Sequence, residues 1–257
     1  MCKEFQLDFP DEHKDAGLDS IRNLVQVCSN TLSGHDLSSY NKITPEFIAP
    51  IVEALDRVHH QDAGLVEPWH WVTGKQVSTK AMPTISASEK RRWNVLQDRP
   101  PALYYYDIVE DPLFSIGVFV IPPGSSIPLH DHPQMAVISK VLYGSMRVTS
   151  YDWTTKQGEA KMYDTNTLQA TGDIKSLFPN QMGNIHQFSN DQNDVQAMLA
   201  TNNQHQLGCA IIDVILPPYH DHARPCTYYK PVKELGDGNY LLKTVRQPDD
   251  FVVQNIL

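Results

Sequence analysis

Two histidines, His130 and His132, stand two residues apart within GSSIPLHDHPQMAVISKVLYG (124–144), six residues after Gly124. Alternate residues of a strand share a face, so both imidazoles are expected to point the same way. A third, His186, follows Gly183 in GNIHQFSN (183–190). Imidazole is a ligand for Fe, Zn, Cu and Ni. Two histidines on one strand and a third on a partner strand can occupy one side of a metal and leave the other side open. The usual non-haem iron site adds a carboxylate. Here the positions after the His-x-His hold Met135, Ala136 and Val137, and none supplies an oxygen ligand. Three neutral ligands leave the metal its full positive charge. Such a site favours an anionic ligand brought by the substrate, and a thiolate suits it. Zinc with an open fourth position fits the same residues, so the donor set leaves the metal open.

The chain has 11 histidines, and a second His-x-His occurs at His220-Asp221-His222. Prolines and polar residues surround that one, and it reads as a solvent loop. The pair at 130 and 132 differs in its frame. A glycine, five residues, His-x-His, Pro133 and an apolar run to Gly144 make the first block; Gly183-x-x-His-x-x-x-Asn190 makes the second. In this order they have the shape of the two cupin motifs. The expected fold is therefore an all-β core, a cupin double-stranded β-helix (jelly-roll) barrel, with an N-terminal helical extension.

The elements around the motifs agree. Residues 1–16 read as a flexible arm. Residues 17–97 form a helical and irregular extension packed on the barrel. Within it Ile21, Leu24, Val25, Cys28 and Leu32 follow helical spacing, and Gly34 ends that helix. Thr44-Pro45 caps a second helix with an apolar stripe of Ile48, Ile51, Val52 and Leu55. Residues 98–257 form the cupin domain, with a barrel to about residue 232 and a C-terminal tail that contains another strand-like piece. LYYYDIVED, LFSIGVFVIPP, AVISKVLYG and SMRVTSYDW are short runs rich in β-branched and aromatic residues, bounded by turn residues.

Composition sets outer limits. The chain has 257 residues and a net charge of −9, which argues against nucleic acid or an anionic membrane as main partner. Cys2, Cys28, Cys209 and Cys226 are scattered without a C-x-x-C, which fits a reducing compartment. The first residues carry no apolar signal core. A cytoplasmic or nuclear monomer is expected.

PLHDHP, then SKVLYGSMRVTSYDW, GNIHQF, AIIDVILPPY and CTYY, in that order, resemble the thiol dioxygenases. The similarity is to the plant cysteine oxidase and cysteamine (2-aminoethanethiol) dioxygenase family, and it runs from about Ile21 to the C-terminus. The long SYDW block looks closer to the plant branch. The resemblance implies Fe(II) held by His130, His132 and His186, and addition of both atoms of O2 to a thiol to give a sulfinic acid. It implies as substrate the N-terminal cysteine of proteins or peptides, which marks them for the arginylation branch of the N-degron pathway and makes their stability follow oxygen. The alternatives are a dioxygenase for cysteamine or another small thiol, or a non-catalytic metal-binding cupin. A free-cysteine enzyme would need a cation for the substrate carboxylate, with Lys140, Arg147 and Arg224 near the motifs.

Four further residues follow from the resemblance as catalytic candidates. Asp213, in the apolar run CAIIDVIL, is either a pocket residue orienting groups near the iron or a structural hydrogen-bond partner. Tyr219 is a candidate for the pocket lining. Cys226 and Tyr228 match positions that form a thioether crosslink in the animal enzyme, though a free cysteine beside a packed tyrosine is the simpler reading. Gln134 stands where the family would place a glycine, which puts the substrate preference in question.

Overall fold

The computed structural model describes residues 14–35, 43–63, 65, 69–70, 75–76, 103–122, 124–170, 173–178, 182–190 and 208–255. Helix α1 (Lys14–Leu32) starts inside the stretch expected to be a loose arm. It buries Ile21, Leu24, Cys28 and Leu32. Helix α2 (Pro45–Asp56) begins as its sequence predicts: the Thr44 hydroxyl accepts the backbone N–H of Phe47 at 3.3 Å, and proline occupies a first-turn position whose N–H needs no partner. Its buried face is Ile48, Ile51, Ala54 and Leu55. Two short strands, β1 (Trp69–His70) and β2 (Lys75–Gln76), pair with each other. The rest of 66–102 lies outside the described residues.

The remaining strands make two sheets. One has six strands in the order β14-β3-β4-β11-β6-β9. These are β3 (Leu103–Glu110), β4 (Ser115–Ile121), β6 (Ala136–Tyr143), β9 (Ile174–Leu177), β11 (Cys209–Leu216) and β14 (Val253–Asn255). The other closes into a barrel in the order β10-β5-β12-β13-β8-β7. Its strands are β5 (Ser126–Asp131), β7 (Ser145–Trp153), β8 (Glu159–Gln169), β10 (Ile185–Ser189), β12 (Tyr228–Gly236) and β13 (Asn239–Val245). This is the mostly β, cupin-type architecture that the motifs call for, with the helices at the N-terminus. One boundary differs. The barrel was expected to end near residue 232, but β12 runs through that point, and β12 with β13 completes the closure.

Period-2 alternation sorts the side chains of the six-stranded sheet. Val118, Ile138, Ile212 and Val214 share one apolar cluster with Leu24, Cys28, Ile48 and Leu55 of the helices. Ile121, Val141 and Ile211 face the other way and pack with Ile127, Val148 and Phe188 of the barrel. The helices thus cover the outer face, and the cleft opens on the inner one. The parity places Lys140 outward and Asp213 inward. Lys140 is 5% exposed. Its ammonium donates to the carbonyls of Leu55 (3.4 Å) and Asp56 and lies 3.7 Å from the Asp56 carboxylate. It therefore satisfies the carbonyl end of α2 and holds that helix to the sheet.

Candidate metal centre

β5 and β10 are antiparallel neighbours, with His186 opposite His130 and Phe188 opposite Ile127. Between those pairs one residue on β10 faces two on β5, so β5 carries a bulge. The extra residue lets Ile127 and His130, three apart, face the same interior as Phe188 and His186. β5 ends at Asp131, so His132 stands one residue past the strand. Its backbone N–H donates to the Asn184 carbonyl at 3.3 Å, which keeps it in line. The three imidazoles converge, with ring centroids 4.8 Å apart in each pair. His130, His132 and His186 are buried, and their ligand atoms all lie within 4.8 Å of one another.

Hydrogen bonds orient two of the rings. His130 Nδ1 is 2.8 Å from the Pro128 carbonyl, which can only accept, so Nδ1 carries the proton and Nε2 keeps its lone pair. The Tyr219 hydroxyl donates to the Asp131 carbonyl at 2.7 Å and accepts from His132 Nδ1 at 2.8 Å. His132 therefore also presents a bare Nε2. His132 Nε2 and His186 Nε2 are 3.0 Å apart. His186 Nδ1 is buried and has no partner among the described residues. Burial pushes the His130 pKa down to about 4 and those of His132 and His186 well below the ordinary value. All three rings are neutral at pH 7, which is the ligating form. These residues fit a divalent transition metal.

The turns that carry the ligands are held by groups that sequence reasoning missed. Asp152 accepts the N–H groups of Gly183 (2.8 Å) and Asn184 (3.3 Å) just before β10. Gly183 has φ +83°, and a Cβ there would collide with Ser150. The buried Asn184 amide donates to the Phe178 carbonyl (3.1 Å) and the Met135 carbonyl (3.4 Å), joining the two motif loops. Gln134 has φ +63°, a left-handed position that explains why a glycine suits it. Asp131, between the two ligands, turns to the opposite side. Its carboxylate accepts the Thr227 N–H and the Tyr229 hydroxyl, each at 2.9 Å. That fixes the segment before β12. The one signal of it in the sequence is a carboxylate inside a strand flanked by ligands. His220 and His222, the second His-x-His, are exposed, as expected.

His130 and His132 line a cleft of about 790 Å³, with His186 behind them, and its wall includes Asp213, Tyr219, Cys226 and Tyr228. All four candidates thus line the same cleft as His130 and His132. Tyr228 pairs with His130 across the β5–β12 ladder, their rings 6.3 Å apart. The Cys226 thiol lies beside the phenols of Tyr219 and Tyr228. Burial raises both phenols' pKa values, so they act as neutral hydroxyls. Asp213 is 7% exposed, and its Oδ1 has no hydrogen-bond partner among the described residues. Burial pushes its pKa up to about 6, a rise that nearby Ser139 only partly opposes. Lys140 faces the helices, Arg147 reaches Thr165 at 3.4 Å, and Arg224 donates to the Pro218 carbonyl at 3.0 Å. None of the three lines the cleft.

A family model described as PCO_ADO matches residues 55–257. The chain belongs to the PCO_ADO family. Helix α1 and nearly all of α2 precede that match. "Probable 2-aminoethanethiol dioxygenase" of Dictyostelium discoideum is 39% identical over 142 residues, 52% of this chain and 58% of that protein. "Plant cysteine oxidase 1" of Arabidopsis thaliana is 30% identical over 224 residues, 83% of this chain and 64% of that protein. The chain therefore spans under two thirds of the length of these family relatives. A solved cupin superfamily protein from Desulfitobacterium hafniense overlays 46% of this chain and 79% of its own, at TM-score 0.31 and 13% identity, too slight a likeness to bear on function. No described helix is long and apolar enough to cross a membrane.

Proposed function

We propose that this chain is an Fe(II)- and O2-dependent thiol dioxygenase that converts the N-terminal cysteine of proteins or peptides to cysteine sulfinic acid. The observation that carries the reading is the convergence of three buried, neutral imidazoles, two of them on the wall of a roomy cleft that also holds a carboxylate oxygen with no partner among the described residues. The balance is R–SH + O2 → R–SO2H: sulfur loses four electrons, O2 gains them, and both oxygen atoms end on sulfur. Bound iron would supply a site for thiolate and for O2 on the side the histidines leave open. The protein's own groups do the rest. Asp213 is placed to accept a substrate ammonium, which would supply its missing partner and favour its charged form. Tyr219 holds His132 in the tautomer that ligates. Phe188, Ile127 and Phe119 line the cleft and give it an apolar wall. Holding thiol and oxidant side by side removes most of the encounter entropy.

Two features favour a peptide over a small thiol. About 790 Å³ far exceeds what cysteamine fills, and no Lys or Arg among the described lining residues could receive the carboxylate of free cysteine. The sulfinic acid is effectively irreversible for most proteins, which suits a degradation mark in the N-degron pathway and an oxygen-sensing role in cytosol or nucleus. All three ligands come from one chain, so the site works as a monomer. The small-thiol reading rests on Asp213, which could equally hold the ammonium of cysteamine.

The test is mass spectrometry of a Cys-initiated peptide incubated with Fe(II)-loaded protein under 18O2, beside cysteamine, free cysteine and a His186→Ala control. Two labelled oxygens on the peptide, absent in the control and under nitrogen, are expected. Oxidation of cysteamine alone would move the protein to small-thiol metabolism. No oxidation by an iron-loaded protein would leave a non-catalytic cupin.

A further inference from the structure

The wall of the cleft carries four carboxylates, Asp107, Glu110, Asp111 and Asp213, and no described lysine or arginine. Three of them belong to one stretch. Asp107 and Glu110 lie on β3, Asp111 opens the turn to β4, and Asp107 pairs with Gly117 on β4. A Cβ at Gly117 would collide with the Tyr105 ring. The glycine thus lets Tyr105 lie flat across β4, packed on Phe119 at 4.5 Å. From there its hydroxyl donates to Asp107 at 2.6 Å, and it stands amid Asp107, Asp213 and Glu110. Asp111 accepts the Leu113 N–H at 2.9 Å. No ion pair joins any of these carboxylates to a cation among the described residues.

A cluster of acids is ordinarily only a solvated face. This one continues inward to Asp213, which is nine-tenths buried, lines the same cleft and has an oxygen without a partner. A buried acceptor in that condition calls for a donor from beyond the described residues, and a substrate group entering the cleft supplies one. The carboxylates therefore trace one path from the partly exposed end of β3 to the interior beside the histidines. Such a path attracts a chain that is cationic along its length and repels an anionic one.

Resting on the thiol dioxygenase reading, we infer that Asp107, Glu110 and Asp111 select peptides with basic residues downstream of the cysteine. The terminal ammonium goes to Asp213, and lysine or arginine side chains a few residues on lie against the β3 carboxylates. Peptides acidic at those positions are excluded by the like charge.

Two heptapeptides test this, alike except for Lys or Glu at positions 3 to 5, each made with Cys and with unreactive Ser at position 1. The Ser peptides are titrated against metal-loaded protein by fluorescence anisotropy, and the Cys peptides are assayed for kcat and KM. At low salt the Lys peptide is expected to bind about tenfold more tightly than the Glu peptide and to show the lower KM, with the gap shrinking as salt rises. In Glu110→Gln/Asp111→Asn the two peptides should converge, and Glu110→Lys should reverse their order, while thermal melts show each variant folded. A structural role would move both peptides alike. Equal binding of the two peptides by the parent protein, or a preference unchanged in the variants, would overturn the inference. Failure to oxidise either Cys peptide while the Lys preference in binding persists would instead overturn the dioxygenase reading and leave the charge selection standing.

Discussion

At the residue scale the site depends on neutral, pre-oriented imidazoles. His186→Ala removes one of three ligands, and metal content measured by inductively coupled plasma mass spectrometry is expected to fall to that of chelated protein. Tyr219→Phe keeps the ring but removes the oxygen that accepts His132 Nδ1–H. Metal affinity should fall about tenfold, the scale found for partners that orient ligating histidines, while the metal-free melt moves by about 1 kcal/mol. Asp213 gives a prediction with a pH sign. Its carboxyl is raised to about 6 in the fold, above the ordinary 3.8. The folded state then binds more protons than the unfolded chain between those values, so stability falls as pH rises through that window. The penalty is absent below about pH 4 and complete above about pH 6, on the order of 3 kcal/mol. Metal-free D213N should therefore melt above the parent at pH 8 and level with it at pH 4. A gain of the same size at both would remove the buried charge as its cause.

At the element scale two contacts hold the ligand strands and the helices in place. Gly183 turns the chain into β10 with a left-handed φ and packs so close to Ser150 that no Cβ fits between them. Gly183→Ala adds strain and a collision together, and urea unfolding should show a loss of about 2–4 kcal/mol with weaker metal binding. Lys140 acts at the other face. Lys140→Met removes the ammonium from the Asp56 carbonyl and carboxylate, while the Leu55 carbonyl keeps the Val58 N–H; a loss of about 1–2 kcal/mol is expected with metal affinity unchanged, because the helices lie across the sheet from the cleft. A fall in metal affinity would mean that the helices reach the site. Both elements were legible from local spacing: the apolar stripe of α2, its Thr44-Pro45 start, and the glycine three residues before His186. What Lys140 binds was not, since it depends on a helix 84 residues earlier in the chain.

At the scale of the whole molecule, three buried histidines couple stability to protons and to metal. His130 is lowered to about 4, below its ordinary 6.5, and the other two are also lowered well below the ordinary value by burial. A depressed pKa means that the unfolded chain binds protons first. Stability is thus whole above about pH 6.5 and is lost as pH falls toward 4. Metal-free protein should show this loss in thermal melts taken across that range. Adding Fe(II) anaerobically at pH 7 should raise the melting temperature, because metal binds the assembled ligands far better than the separated ones. An unchanged melt with His186→Ala behaving like the parent would count against a metal at this site. The acidic cleft also belongs to this scale, because it needs β3, β4 and β11 side by side before four separate carboxylates form one surface.

What the chain decided by itself was local and periodic. Glycine, His-x-His, an apolar strand and a second glycine-framed histidine specified the ligands; alternation specified the strands; helical spacing and a capping threonine specified α2. Each depends on residues a few positions apart, whose preferences hold before any partner is known. Only the tertiary structure decided the rest. The bulge that turns Ile127 and His130 inward together exists only against β10. Asp131 and Tyr219 orient the site through bonds to residues 96 and 87 positions away. The parity of Asp213 was visible, but which face was the cleft was not, because both faces of β11 are apolar and buried. Alternation places a side chain on one side of a strand or the other. What waits on each side is set by packing, and packing follows from contacts that sequence spacing does not record.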